Sequence, residues 1–88
     1  MSLLYNQMVI TDENEFPEGV KLFMDHYGAS EAYLVTLMEY DRATWLVKPN
    51  SRGIFTNEPA AEDWVRRQRW TVCGIETTVY RRNVHGRP

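Results

Sequence analysis

Cysteine and long apolar runs are scarce in this sequence, and each scarcity excludes a class of protein. Cys73 is the single cysteine among 88 residues, so the chain can form neither an internal disulfide nor a cysteine-based zinc site. One thiol fits a reducing, cytoplasmic compartment. No stretch approaches the ~20 apolar residues of a membrane helix. Asn6 and Gln7 interrupt an N-terminus without basic residues, so we expect no signal peptide and no membrane contact.

Motifs for catalysis or cofactor binding are also missing. The two histidines, His26 and His85, have no carboxylate motif at metal-ligand spacing, which makes a metal site a weak hypothesis. There is no glycine-rich phosphate loop. Cys73, in the middle of a predicted strand, is typical of a small core residue rather than a nucleophile. We therefore expect no cofactor, no metal and no catalytic residue, and keep a small enzyme only as a third hypothesis.

The composition predicts one small globular domain. Hydrophobic residues make up 43% of the chain and charged residues 25%, both near the globular average, which argues against disorder. We assign residues 1–83 to a single α+β domain and residues 84–88 to a flexible C-terminal tail.

Periodicity in the first half predicts strand, helix, strand. Residues 3–11 alternate as a strand does. Residues 12–28 place apolar side chains on one helical face, with Asp12 or Asn14 as cap and Gly28 at the left-handed C-terminal position. Residues 31–41 are apolar on both faces, as in a central strand.

The second half predicts a hairpin strand, a loop, a helix and a last strand. After a short turn at Asp41 and Arg42, residues 43–49 form the partner strand, which Pro49 ends. Residues 50–59 are rich in turn-forming residues and form the main loop. Thr56 or Asn57 caps a helix that ends near Arg69, and residues 70–82 alternate as a strand that Trp70 opens.

This order matches a two-layer βαββαβ, ferredoxin-like or related, α+β plan. In that plan two helices cover one face of a four-stranded, mainly antiparallel sheet and leave the other face open.

The charge is unevenly distributed along the chain. Residues 1–41 hold eight acidic side chains and one basic, whereas residues 42–88 hold nine basic and four acidic. The halves either form a dipolar surface or interleave and neutralise each other.

Aromatic and arginine side chains supply the candidate binding residues, since Tyr, Trp and Arg dominate protein interfaces. The first candidate surface comprises Arg66, Arg67, Arg69, Trp70, Trp45, Tyr80, Arg81 and Arg82. The second is an acidic patch that comprises Asp12, Glu13, Glu15 and Glu18, which could mimic phosphate toward a basic partner.

These features favour a small, non-enzymatic protein-binding module that docks stoichiometrically on a protein partner, or forms a homodimer. Small proteins without catalytic signatures are common among phage-encoded inhibitors of host machines and anti-CRISPR proteins, which suggests that class as a hypothesis. The alternative is binding of single-stranded nucleic acid, such as RNA, by aromatic side chains on the open sheet face. However, the third predicted strand lacks the RNA-recognition signature, and the acidic first half would repel phosphate.

Overall fold

The computed structural model describes Leu4, residues 7–68 and residues 72–82 of the chain. Its elements in chain order are β1 (Gln7–Ile10), a 3₁₀ helix (Glu13–Glu15), α1 (Glu18–Tyr27), β2 (Glu31–Asp41), β3 (Leu46–Phe55), α2 (Glu58–Arg67) and β4 (Val72–Arg81). As predicted, this is an α+β chain with one four-stranded sheet and two helices. The predicted tail, residues 84–88, and the proposed strand start at Trp70 lie outside the described residues.

The sheet is mixed, with strand order β1-β4-β2-β3. β2 is central, as predicted, because it pairs antiparallel with both β3 and β4. β1 pairs parallel with β4 at one edge, and β3 forms the other edge. The ferredoxin-like arrangement is not confirmed by this strand order.

The two helices cover opposite faces of the sheet, so the expectation that both lie on one face is wrong. Val20 and Met24 of α1 pack against Ala32 of β2 and Tyr80 of β4. The opposite set of β2 side chains contacts α2, and this cluster contains Tyr33, Val35, Leu37, Ala61 and Val65. We call these two sides the α1 face and the α2 face. Because β2 is apolar on both faces, burial of both requires a cover on each.

The helix ends follow from local sequence. Gly28 takes the left-handed conformation (φ 60°) at the end of α1, as predicted. The Asn57 side chain accepts a hydrogen bond from the Ala60 amide (2.9 Å) and caps α2. The expected cap of α1 is different, because Asp12 instead accepts from the Asn14 amide and caps the 3₁₀ helix, while Pro17 precedes α1.

β3 is longer than predicted and continues through Pro49, so the loop predicted for residues 50–59 is wrong up to Phe55. β3 is an edge strand, in which a proline can direct its missing N–H away from the ladder. The register shifts beside Pro49, which leaves Asn50 as the extra residue of a bulge. The turn is also longer than predicted and spans Arg42 to Trp45.

The hairpin of β2 and β3 extends beyond the helices. An eleven-residue strand spans about 34 Å, whereas a ten-residue helix spans about 15 Å. The molecule is correspondingly elongated, at 51 × 25 × 22 Å. No helix within the described ranges is long and apolar enough to cross a membrane.

The packing of α1 on its own face can be tested with two substitutions in one helix. Met24 is fully buried and Leu22 is 60% exposed. We expect Met24→Ala to lower the free energy of unfolding by about 2–4 kcal/mol and Leu22→Ala by less than about 0.5 kcal/mol, measured by urea denaturation. Equal effects of the two variants would contradict this position of α1.

Candidate binding surface

The turn at the end of the hairpin is organised by Asp41. Its backbone carbonyl accepts a hydrogen bond from the Trp45 amide (2.8 Å), and its side chain accepts from the Ala43 amide (2.9 Å). Lys48 adds an ion pair at 3.0 Å. The hydrogen bond from Lys48 is the main cause that lowers the pKa of the Asp41 carboxyl below its ordinary value. Both partners are therefore charged at neutral pH and neutralise each other.

Trp45 closes this turn in a left-handed conformation (φ 64°). That conformation costs a residue with a Cβ atom about 1–2 kcal/mol, and glycine or asparagine usually occupies it. The indole ring recovers little through burial, because Trp45 is 77% exposed and its ring meets Tyr40 only edge-on, at 6.0 Å between centroids. A bulky residue that costs stability at an exposed turn is a candidate functional residue.

An apolar surface continues from Trp45 down the hairpin on the α1 face. Directly opposed residues share a face, and the register pairs Tyr40 with Val47 and Met38 with Pro49. Tyr40 is 38% and Val47 54% exposed. We call this surface, formed by Met38, Tyr40, Trp45, Val47 and Pro49, the hairpin ledge. It lies beyond the part of the face that α1 covers.

A polar row separates the ledge from the α1 core. Thr36 stands in the centre of this row, with Arg52 opposite on β3 and Glu76 opposite on β4. Arg52 and Glu76 are exposed and form no ion pair within the described part of the chain. We call these three residues the foot of the ledge.

Several of the candidate binding residues lie at the ledge end of the molecule. Arg66 and Arg67 are exposed on the last turn of α2, and Arg67 pairs with Asp63, one helical turn earlier. β4 begins at Val72, opposite Glu39 of β2. Since five residues span at most about 18 Å, Arg67 lies at this end of the molecule, but on the α2 face and so on the opposite side of the sheet from the ledge. Arg69 and Trp70 lie outside the described residues.

The remaining three candidates lie at the other end of β4, about 30 Å away. Tyr80 is only 6% exposed and packs edge-on against Phe16 at 5.3 Å. Its ring therefore belongs to the α1 core and is not available to a partner. Arg81 pairs with Glu31 at 2.7 Å, and Arg82 pairs with Asp25 at 2.5 Å. The eight residues thus do not form one patch.

The acidic patch lies at the same end as Arg82. Asp12, Glu13, Glu15 and Glu18 are all exposed, and Glu13 lies 3.7 Å from the Arg82 guanidinium. The two charged halves of the chain therefore interleave in part. Arg42, Arg52 and Arg66 at the ledge end, and Asp12, Glu15 and Glu18 at the other, form no ion pair within the described ranges. Within the described residues, the end with the acidic patch therefore keeps unpaired negative charge, whereas the ledge end keeps unpaired charges of both signs, because Glu76 also lies there.

Sequence reasoning missed Tyr40, Leu46 and Val47, all exposed apolar residues of the hairpin. The available signal was the apolar residues that stand on both sides of the polar turn: Tyr40 precedes it, and Leu46 and Val47 follow it.

The described residues also include titratable side chains and a cleft outside the ledge. They contain no group of three or more His, Cys, Asp or Glu side chains that could hold a metal ion. An open cleft of about 390 Å³ along β4 is lined by Met8, Ile75, Glu76, Thr77 and Thr78. Glu76 is the single ionisable side chain in that lining, so the cleft offers no acid–base pair.

Comparison with protein families, with curated proteins and with solved structures found no significant match.

The strain at Trp45 predicts opposite effects of substitution at two left-handed positions. Trp45→Gly should raise the free energy of unfolding by about 0.5–1 kcal/mol, because relief of the strain exceeds the entropy cost of glycine. Gly28→Ala should lower the free energy of unfolding by about 1 kcal/mol. The added Cβ meets no atom within 4 Å, so the cost comes only from the left-handed backbone conformation. Urea denaturation measures both. A loss of stability in Trp45→Gly would contradict the strained turn.

Proposed function

We propose that this protein is a non-enzymatic binding module that docks on a protein partner through the hairpin ledge. The observation that carries the proposal is Trp45, which combines high exposure with an unfavourable backbone conformation at the end of an apolar surface. Neither property benefits the fold. Both are accounted for if the indole ring enters a pocket on a partner, where a buried tryptophan contributes strongly to affinity.

The position of the ledge supports insertion rather than flat docking. The ledge is the end of a hairpin that reaches beyond both helices, so a partner with a concave apolar site can enclose it on several sides. Arg42 in the turn and Arg52 at the foot of the ledge form no ion pair within the described residues, and they suit the polar rim that surrounds such an anchor. Occupation of a pocket by a small stoichiometric module is a way to inhibit or regulate a larger host machine, of the kind encoded by phages or mobile elements.

The sheet edge is a less suitable binding surface than the ledge. β3 carries Lys48, Pro49 and a bulge along its outer side, and these are features that hinder pairing with a foreign strand. We therefore assign recognition to side chains on the ledge, not to backbone pairing along β3.

We also propose a cytoplasmic location, because the single thiol suits a reducing compartment.

The nucleic-acid alternative has less support. It requires a row of exposed aromatic rings on an open sheet face, but Tyr33 and Tyr80 are buried and a helix packs on each face. Trp45 remains exposed, together with part of Tyr40. Binding of this kind would require Arg42 and Arg52 to contact phosphate beside Glu76.

Site-specific photo-crosslinking tests the proposal. A photoreactive phenylalanine derivative replaces Trp45 in one variant and Leu22 in a control, which is similarly exposed but lies on α1. In lysate of the source organism, position 45 should give a discrete adduct with another protein that survives nuclease treatment and is absent for position 22.

Two outcomes would contradict the proposal. Adducts that disappear after nuclease treatment would move the function to nucleic-acid binding. The same set of adducts from both positions would mean that the ledge has no specific partner.

A further inference from the structure

The hairpin ledge and its foot carry groups that match each other chemically but are far apart in one molecule. The turn offers the exposed Trp45 ring and the Arg42 guanidinium. The foot offers Arg52 on β3 and Glu76 on β4. Neither arginine, nor Glu76, forms an ion pair within the described ranges. About five residues of β2 separate the foot from the turn, or roughly 17 Å, so these groups cannot meet within one chain.

We infer that a second copy of this chain covers the ledge, in a twofold antiparallel packing that places each turn on the foot of the other copy. In this arrangement the apolar side chains of the two ledges face each other at the spacing of packed sheets, about 10 Å. Each copy uses the same surface, as twofold interfaces require.

The position of α1 selects the antiparallel orientation. α1 rises from the same face next to the foot, and a helix is about 10–12 Å thick. Two ledges placed in parallel would bring both α1 helices to the same end, where they would collide. A half-turn about an axis perpendicular to the strands places each α1 beyond the turn of the other copy.

The charges are complementary in that orientation. The half-turn keeps β3 opposite β3, so Trp45, on the β3 side of the turn, lies over Arg52 of the second copy. This contact is a cation–π pair. Arg42, on the β2 side, lies within reach of Glu76 on the neighbouring β4 of the second copy. The unpaired groups on this surface therefore acquire partners together.

The size of the surface predicts a weak dimer. A ledge about 17 Å long and two strands wide offers less than the ~800 Å² per partner of a standard interface. Monomer and dimer should therefore exchange with concentration. Self-association would also mask the ledge from a protein partner, which must then displace the second copy. This last consequence alone rests on the proposed function.

Sedimentation velocity between about 10 µM and about 1 mM, a range that suits a weak interface, tests the dimer. We expect the sedimentation coefficient of the natural chain to rise toward that of a dimer. Trp45→Ala and Arg42→Glu should stay monomeric over most of the range, while Leu22→Ala should match the natural chain. Trp45→Gly, which should fold more stably, repeats the test without risk of misfolding. The double variant Arg42→Glu with Glu76→Arg should restore association, because the proposed ion pair is then reversed.

Two results would overturn the inference. One is a monomer at every concentration. The other is self-association that is equally strong in the Trp45→Ala, Arg42→Glu and Leu22→Ala variants. Either result leaves the photo-crosslinking test of the proposed function unaffected, because that test detects a different protein bound to position 45.

Discussion

β2 is the element on which the rest of the structure depends. It is hydrogen-bonded along both edges, to β3 and to β4, and it is apolar on both faces. A strand of this kind is stable only when both faces are covered. α1 and α2 supply one cover each, and the two clusters meet only through the sheet. Tyr33, Val35 and Leu37 serve one cluster, and Ala32 and Leu34 serve the other.

The same strand accounts for the candidate site. β2 is about twice as long as either helix, so the cover ends before the strand does. Beyond that point the hairpin must present apolar side chains to solvent or to another molecule. A polar hairpin end would avoid this exposure, and glycine at position 45 would avoid the strain. Tyr40, Trp45 and Val47 instead keep the apolar exposure, and Trp45 also keeps the strain. For this reason we place recognition there and not at the charged helix ends.

Much of this architecture could be predicted from local sequence. Gly28 and Asn57 terminate or cap helices by chemistry that acts within one turn, and the two-faced apolar pattern of β2 identified the central strand. Periodicity shows which side of a helix is buried, but not which face of the sheet the helix covers, so the sequence does not separate α1 and α2 onto opposite faces. Pro49 ends a central strand but not an edge strand, and edge position depends on pairing along the whole chain. For the same reason the burial of Tyr80 and the positive φ of Trp45 could not be predicted.

Amide hydrogen exchange at low protein concentration tests most directly whether the two covers end partway along the hairpin. Opening of a segment requires less free energy where fewer buried contacts hold it. Residues 33–37 of β2 should exchange slowly, at rates set by global unfolding, while the amides of residues 40–47 should exchange much faster. If residues 40–47 exchange as slowly as residues 33–37, the end of the hairpin is covered within a single molecule. The hairpin ledge would then not be a binding surface.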